Sequence, residues 1–392
     1  MVQHPGRKEL TSPLPYAQNL DVIFFGCSIL KTGRIFPDVR NIRVTMSLLI
    51  NAYSTVISPG KPEFEHEPHN HRDRSDPEMV EHLQDFIGYV MNKVGGEMTA
   101  TAYHVMRHIE RVQNQFSLTI EEDAFEEFAG WALAANAIFF LPDGTIRDPY
   151  GAILVDPDGG EPNPEADVPY PQAACERKLR TETRLQESGI PVLDSLPPVI
   201  GESELVLRDA DEVARRMLAL FLVAVRAESL NSEDSLSADE LRETSLLGFK
   251  ALTPNEREFM EAETPDETTV IQFVWRYEAL CVLQWALGLI DKLPLPTQIC
   301  DVPQVAGLAL KNNSAQFVKK SKLRPTEEIL DALDLHFRLH WAIRNAKHNN
   351  AVAQKKLDAA GLEPGVIQER HYALNWLIRF EDKDWDDVDT PT

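Results

Sequence analysis

Two charges sit where charges are costly. The run FVWRYEALCVLQWALGLI, residues 273–290, is apolar around its whole circumference yet carries Arg276 and Glu278. An unpaired buried charge costs several kcal/mol, on the order of 3–5, so each needs a partner from another element. At about 100° per residue the two lie on different sides of a helix and cannot pair with each other. Such charges either form a buried ion-pair network that fixes helix register or, if a cleft opens beside them, mark a reaction site. Two histidines, His336 and His340, stand four residues apart on an otherwise apolar face. That spacing can aim both rings at one metal ion. A third ligand would come from Glu369 or His371; the intervening Phe337, Arg338 and Leu339 do not make a metalloprotease helix.

The positioning elements follow from periodicity. Pro325 with Glu327 and Glu328 marks a helix start. On that helix Ile329, Leu333, His336, His340 and Ile343 share one face. Glu327, Asp331, Asp334 and Arg338 share the opposite face, which spacing reads as a solvated charged stripe. A last helix from about Gly365 sets Arg370 among Val366, Leu374 and Leu377. The expected network is therefore Arg276, Glu278, an acid of the Pro325 helix such as Asp331, and Arg370, with Arg370 opposite Glu278. The candidates for chemistry are Arg276, Glu278, Asp331, Glu369 and Arg370; the metal candidates are His336, His340 and His371.

The remainder of the 392 residues is read as a loose arm (1–17), an α+β domain (18–155), a Pro/Gly/acid-rich linker (156–172) and an all-α domain (173–392). In the α+β domain, residues 20–30 read as a buried strand, and 41–53 as an apolar run of unsettled type. Residues 58–76, with His66, His69 and His71, read as a polar loop. A helix follows, opened by Ser75 and Glu78, with Met79, Leu83, Phe86, Ile87 and Val90 as its stripe. Residues 98–120 mix helical and strand periods. Thr119 with Glu122 is expected to open a helix running to Ala135, and AIFFLPDGTIRDPYGAILV reads as a hairpin. Cap pairs Asp209/Glu212, Ser237/Glu240, Thr253/Glu256 and Thr264/Glu267 punctuate the helical half.

Blocks in that half resemble a bacterial family, domain-of-unknown-function family 4272. They are SGIPVLDSLPPV (188–199), RDADEVARRMLAL (208–220), LTPNEREFM (252–260), WRYEALCVLQWALGLIDKLPLP (275–296), LRPTEEILDALDLHFRLHWAIRNA (323–346), ERHYALNWL (369–377) and WDDVDTPT (385–392). The resemblance covers residues 173–392 and implies no activity, so it carries no catalytic residue over.

Composition narrows the classes. With 39 Lys+Arg against 62 Asp+Glu the formal charge is −23. A polyanion is repelled by phosphate backbones and anionic lipid, so neither nucleic acid nor membrane is expected. The lone basic run, 319–322, reads as a loop before a helix. Four scattered cysteines and no CxxC fit reduced thiols and a cytoplasmic protein. P-loop, GxGxxG and GxSxG motifs are missing from the sequence. The expectation is an accessory, regulatory or protein-interaction role, toxin neutralisation being one form, with a basic protein as partner and no cofactor. The alternative is an enzyme, metal-dependent in one version, whose site lies where the segments at Trp275, Pro325 and Glu369 meet.

Overall fold

The computed structural model describes residues 47–94, 98–232, 235–347, 355, 357, 358 and 360–392. The expected arm and the expected strand at 20–30 lie outside the described residues.

Among the described residues six antiparallel strands form one sheet in the order β2-β3-β1-β4-β5-β6. They are β1 (Ser47–Ser54), β2 (Glu67–Asp73), β3 (Asn114–Glu121), β4 (Ala137–Phe140), β5 (Ile146–Arg147) and β6 (Ile153–Val155). Alternation along β1 feeds two cores, as the strand period of two requires. Tyr53 packs with Met79, Leu83, Val105 and Ile109 of helices α1 (Pro77–Lys93) and α2 (Ala100–Arg111). Its neighbour Ala52, with Ile50, faces Phe125, Phe128 and Ala132 around α3 (Phe125–Ala134).

Several local expectations shift. The polar loop at 58–76 contains β2, an edge strand that pairs with β3 across a bulge between Pro68 and Asn70. Pro68, a bulge and charged ends suit an edge, where unpaired backbone must not recruit another chain. The α1 cap is Asp76, which accepts from Glu78 N–H, rather than Ser75. Residues 98–120 resolve into α2 and then β3, so both periods were real and successive. Thr119 lies inside β3, and α3 begins six residues later without a side-chain cap. The expected hairpin is a meander, because β5 occupies the stretch between the two turns. Residues 156–171 carry no regular element, but Ala166 and Val168 are buried against the sheet.

From residue 172 the chain is helical. In order come α4 (Gln172–Glu187), α5 (Ala210–Ser229), α6 (Ala238–Thr244), α7 (Leu246–Lys250), α8 (Pro254–Glu261), α9 (Glu267–Val274) and α10 (Arg276–Ala286). Then follow α11 (Val302–Lys311), α12 (Ala315–Lys320), α13 (Thr326–Lys347) and α14 (Pro364–Leu377). The Ser237/Glu240 and Thr253/Glu256 capping boxes both form. Asp266 caps α9 in place of Thr264, and Asp209 stands at the α5 N-cap without a side-chain bond. The apolar run at 273–290 is not one helix. Trp275 separates α9 from α10, and Gly288, at φ +73°, ends the second. Leu289 N–H donates to Gln284 O and Gly288 N–H to Trp285 O there, satisfying the last carbonyls. α10 lies against α5 and α14 in the main core, with Ala279, Leu280, Val282 and Leu283 fully buried. Lys319 and Lys320 form the last turn of α12 rather than a loop.

The sheet and the helices meet through polar groups. Arg111 of α2 pairs with the buried Glu204 at 3.1 Å, and Ile57 N–H donates to Ser203 O at 2.9 Å.

Candidate functional site

Two ion pairs stand side by side on the α10–α14 seam. Arg370 Nε donates to Glu278 Oε2 at 2.9 Å, and both side chains are sealed, at 0% and 2% exposure. Arg370 Nη1 also donates to Pro294 O at 2.6 Å, while Glu278 Oε1 accepts from Cys300 N–H at 2.5 Å. This is the partnership expected for Glu278. The partner of Arg276 is different: its Nη1 meets Glu369 Oε2 at 3.0 Å, not an acid of the Pro325 helix. The reason is geometric. Residues 369 and 370 are adjacent on α14, so one helix supplies both an acid and a base to residues 276 and 278.

The outer pair is the less buried of the two, at 20% and 16% exposure. Burial raises the Glu369 carboxyl above its ordinary range by more than the Arg276 charge lowers it. Arg276 lies over the Tyr372 ring at 4.8 Å and the Trp385 ring at 5.7 Å. Arg216, ion-paired with the buried Glu256, lies 5.1 Å from the same indole. Trp385 thus sits between two guanidinium groups, an arrangement worth about 0.5–2 kcal/mol per cation. It folds back onto the domain with 3% exposure, and Asn375 Nδ2 holds the following chain through Asp389 O at 2.8 Å.

Behind this seam lie the histidines. His340 Nδ1 and His371 Nδ1 are 3.0 Å apart, with rings at right angles. His336 turns its Nδ1 to Ala332 O, 2.7 Å away in its own helix. Burial holds His336 down at about 4, and burial with the neighbouring histidines holds His371 well below the ordinary imidazole range. Both rings are neutral at pH 7. Among the described residues no group of three or more His, Cys, Asp or Glu is placed to hold a metal ion.

The opposite face of α13 corrects the sequence reading. Asp334 and Arg338 are not a solvated pair: both are buried, joined at 2.9 Å, and Arg338 Nη1 reaches Glu182 Oε1 on α4 at 2.9 Å. Asp331 turns to Arg177 Nε at 2.9 Å and Arg180 at 3.2 Å, so it lies outside the Arg276 network. α4 covers the Asp334–Arg338 part of the charged face of α13, where the charges of the two helices neutralise each other, while Glu327 and Asp331 stay exposed as expected. Arg177, Glu182, Arg216, Glu256 and Arg338 were all missed as buried groups. Their spacing on amphipathic helices carries no mark separating a solvated face from a face covered by another polar helix.

The other histidines scatter. His66 Nδ1 bonds Phe64 O, His69 bonds Thr119 Oγ1, and His71 stacks on Phe116 and bonds Asn114 Oδ1. His104 and His108 share helix α2; His104 bonds Tyr170 and the buried His108 bonds Tyr53 O. Two shallow surface clefts, of about 540 and 530 Å³, are lined by Asp209, Arg215 and Lys319 and by Lys61, His66 and His71. Neither includes a residue of the α10–α14 seam. Among the described residues no helix is long and apolar enough to cross a membrane.

No curated protein and no solved structure matches the chain. Residues 177–388, more than half of the sequence, match the model of a family described as a domain of unknown function, DUF4272, and the chain belongs to that family.

Proposed function

We propose that the chain is a cytoplasmic accessory protein that acts by binding a basic protein partner, in a regulatory or toxin-neutralising role. One observation carries this reading: the innermost pair singled out for chemistry, Arg370 with Glu278, closes on itself instead of lining a cleft. Arg370, Glu278, His336 and His371 are each at most 2% exposed. A substrate reaches none of them without unpacking α14. Buried pairs of this kind cancel their own charge, and the chain as a whole carries a formal charge of −23. Such a field accelerates encounter with a cationic partner and weakens as salt screens it. Exposed acids cluster at the end of β3 and the start of α3, at Glu121, Glu122, Asp123, Glu126 and Glu127.

The test is affinity capture from the native cell at low and at high salt, using the full chain and a variant with those five acids changed to Gln or Asn. The expected result is one basic protein, captured in proportion to the chain, lost at high salt and weakened in the variant. A partner indifferent to both salt and charge removal refutes the electrostatic reading.

The enzymatic alternative draws on a single feature, the Glu369 carboxyl, raised by burial and at the seam's outer edge beside Arg276. Its metal-dependent version predicts a stoichiometric ion in protein purified without chelator, measured by elemental analysis.

A further inference from the structure

Two cysteines far apart in sequence share one ledge of α10. Cys300 Sγ donates to Tyr277 O at 3.6 Å. That carbonyl lies four residues before Cys281, and helical side chains lean back over the preceding turn. The Cys281 thiol therefore stands beside the Cys300 thiol, near enough for each sulfur to shift the other's proton affinity. The Cys300 backbone is fixed as well, by its N–H on Glu278 Oε1 at 2.5 Å. Glu278 is one helical turn before Cys281, and its other oxygen holds Arg370, whose charge acts on the Cys281 thiol. The adjacent Cys300 sulfur and the Arg370 charge hold the Cys281 thiol below its ordinary range against burial and Glu278, while the Cys281 sulfur, burial and Glu278 push Cys300 up.

We propose that Cys281 and Cys300 form a redox site that hydrogen peroxide oxidises to an intramolecular disulfide. The Cys281 thiolate attacks one peroxide oxygen. The O–O bond breaks, Cys281 becomes the sulfenic acid, and the departing hydroxide leaves as water with the thiol's proton. The Cys300 sulfur then attacks the Cys281 sulfur. The S–O bond breaks, the S–S bond forms, and the second oxygen leaves as water with the Cys300 proton. Two thiols lose two electrons, and one peroxide yields two waters. The cross-link ties α10 to the start of α11, which already docks there through Gln284 Nε2 on Val305 O at 2.8 Å. A low-molecular-weight dithiol reverses it.

The experiment oxidises the reduced, folded full chain with hydrogen peroxide, then alkylates it in denaturant and maps peptides without reduction. The expected result is the loss of two of the four thiols, a linked pair of peptides carrying Cys281 and Cys300, and full recovery with dithiothreitol. In Cys300→Ser, dimedone labels Cys281 after peroxide. Should that variant not fold, the parent's peptide map decides alone. The proposal is overturned if Cys281 and Cys300 remain alkylatable after Cys27 or Cys175 has been oxidised, or if either pairs instead with one of those two.

Discussion

Replacing Arg370 with Met should be among the most destabilising single changes in the helical half. The guanidinium is fully buried, donates to Glu278 at 2.9 Å and to Pro294 O at 2.6 Å, and is flanked by Val366 and Leu374. Methionine keeps most of the apolar stem, so the cost comes from what remains. Glu278, at 2% exposure, keeps only the Cys300 N–H as partner. Removing one member of a buried pair costs about 3–5 kcal/mol. At about 2–4 °C per kcal/mol for a unit of this size, the melting temperature falls by roughly 6–20 °C. Glu278→Gln alone strands Arg370 and costs a similar amount. The double variant strands neither charge, so its loss should be smaller than the sum by about 1–3 kcal/mol. Arg242→Met supplies the contrast. Its 2.7 Å pair with Asp239 is 49% and 82% exposed, and such pairs contribute about 0–1 kcal/mol. Urea unfolding followed by far-UV circular dichroism and tryptophan fluorescence measures all four. If Arg370→Met loses no more than Arg242→Met, or if the two single losses simply add, the argument from stranded charge fails.

Acid should weaken the fold through its buried histidines. His336 is held from 6.5 down to about 4, so the unfolded chain binds the extra proton, and stability is full above pH 6.5 and falls as pH drops toward 4. That single proton is worth about 3 kcal/mol. His104 and His371 act in the same direction, while Asp148, raised to about 6 by burial, opposes them. Between pH 7 and 4.5 the parent should lose about 2–3 kcal/mol more than His336→Gln in urea titrations, and equal losses would dismiss His336 as a contributor. Two glycines should respond to alanine with opposite signs. A Cβ at Gly248 meets Leu218 O at 2.6 Å, so Gly248→Ala costs about 1–3 kcal/mol through overpacking. Gly307 on α11 has open space, so Gly307→Ala gains about 0.4–1 kcal/mol; thermal melts showing the same sign for both would contradict the packing.

Composition and local pattern determined a good deal. The apolar stripe of α1, the capping boxes of α6 and α8 and the change to helices near residue 172 are short-range effects, written in neighbours three or four residues apart. The need of Glu278 for a cation was equally legible, because burying a carboxylate is costly wherever the partner comes from. Trp275 and Gly288 show the limit of that reading. Hydropathy joined 273–290 into one helix, whereas the helical hydrogen bonding is interrupted at Trp275 and ends before Gly288. Tertiary structure alone decided the partners. Asp331 and Glu369 are equally acidic in sequence, and only the placement of α4 and α14 sends one to Arg177 and the other to Arg276. It also decided which charges are buried. Asp334 and Arg338 carry the pattern of a solvated stripe, and the polar face of α4, docked over them, makes that stripe an interior. A helix wheel records which residues share a face; what covers that face depends on elements distant in sequence.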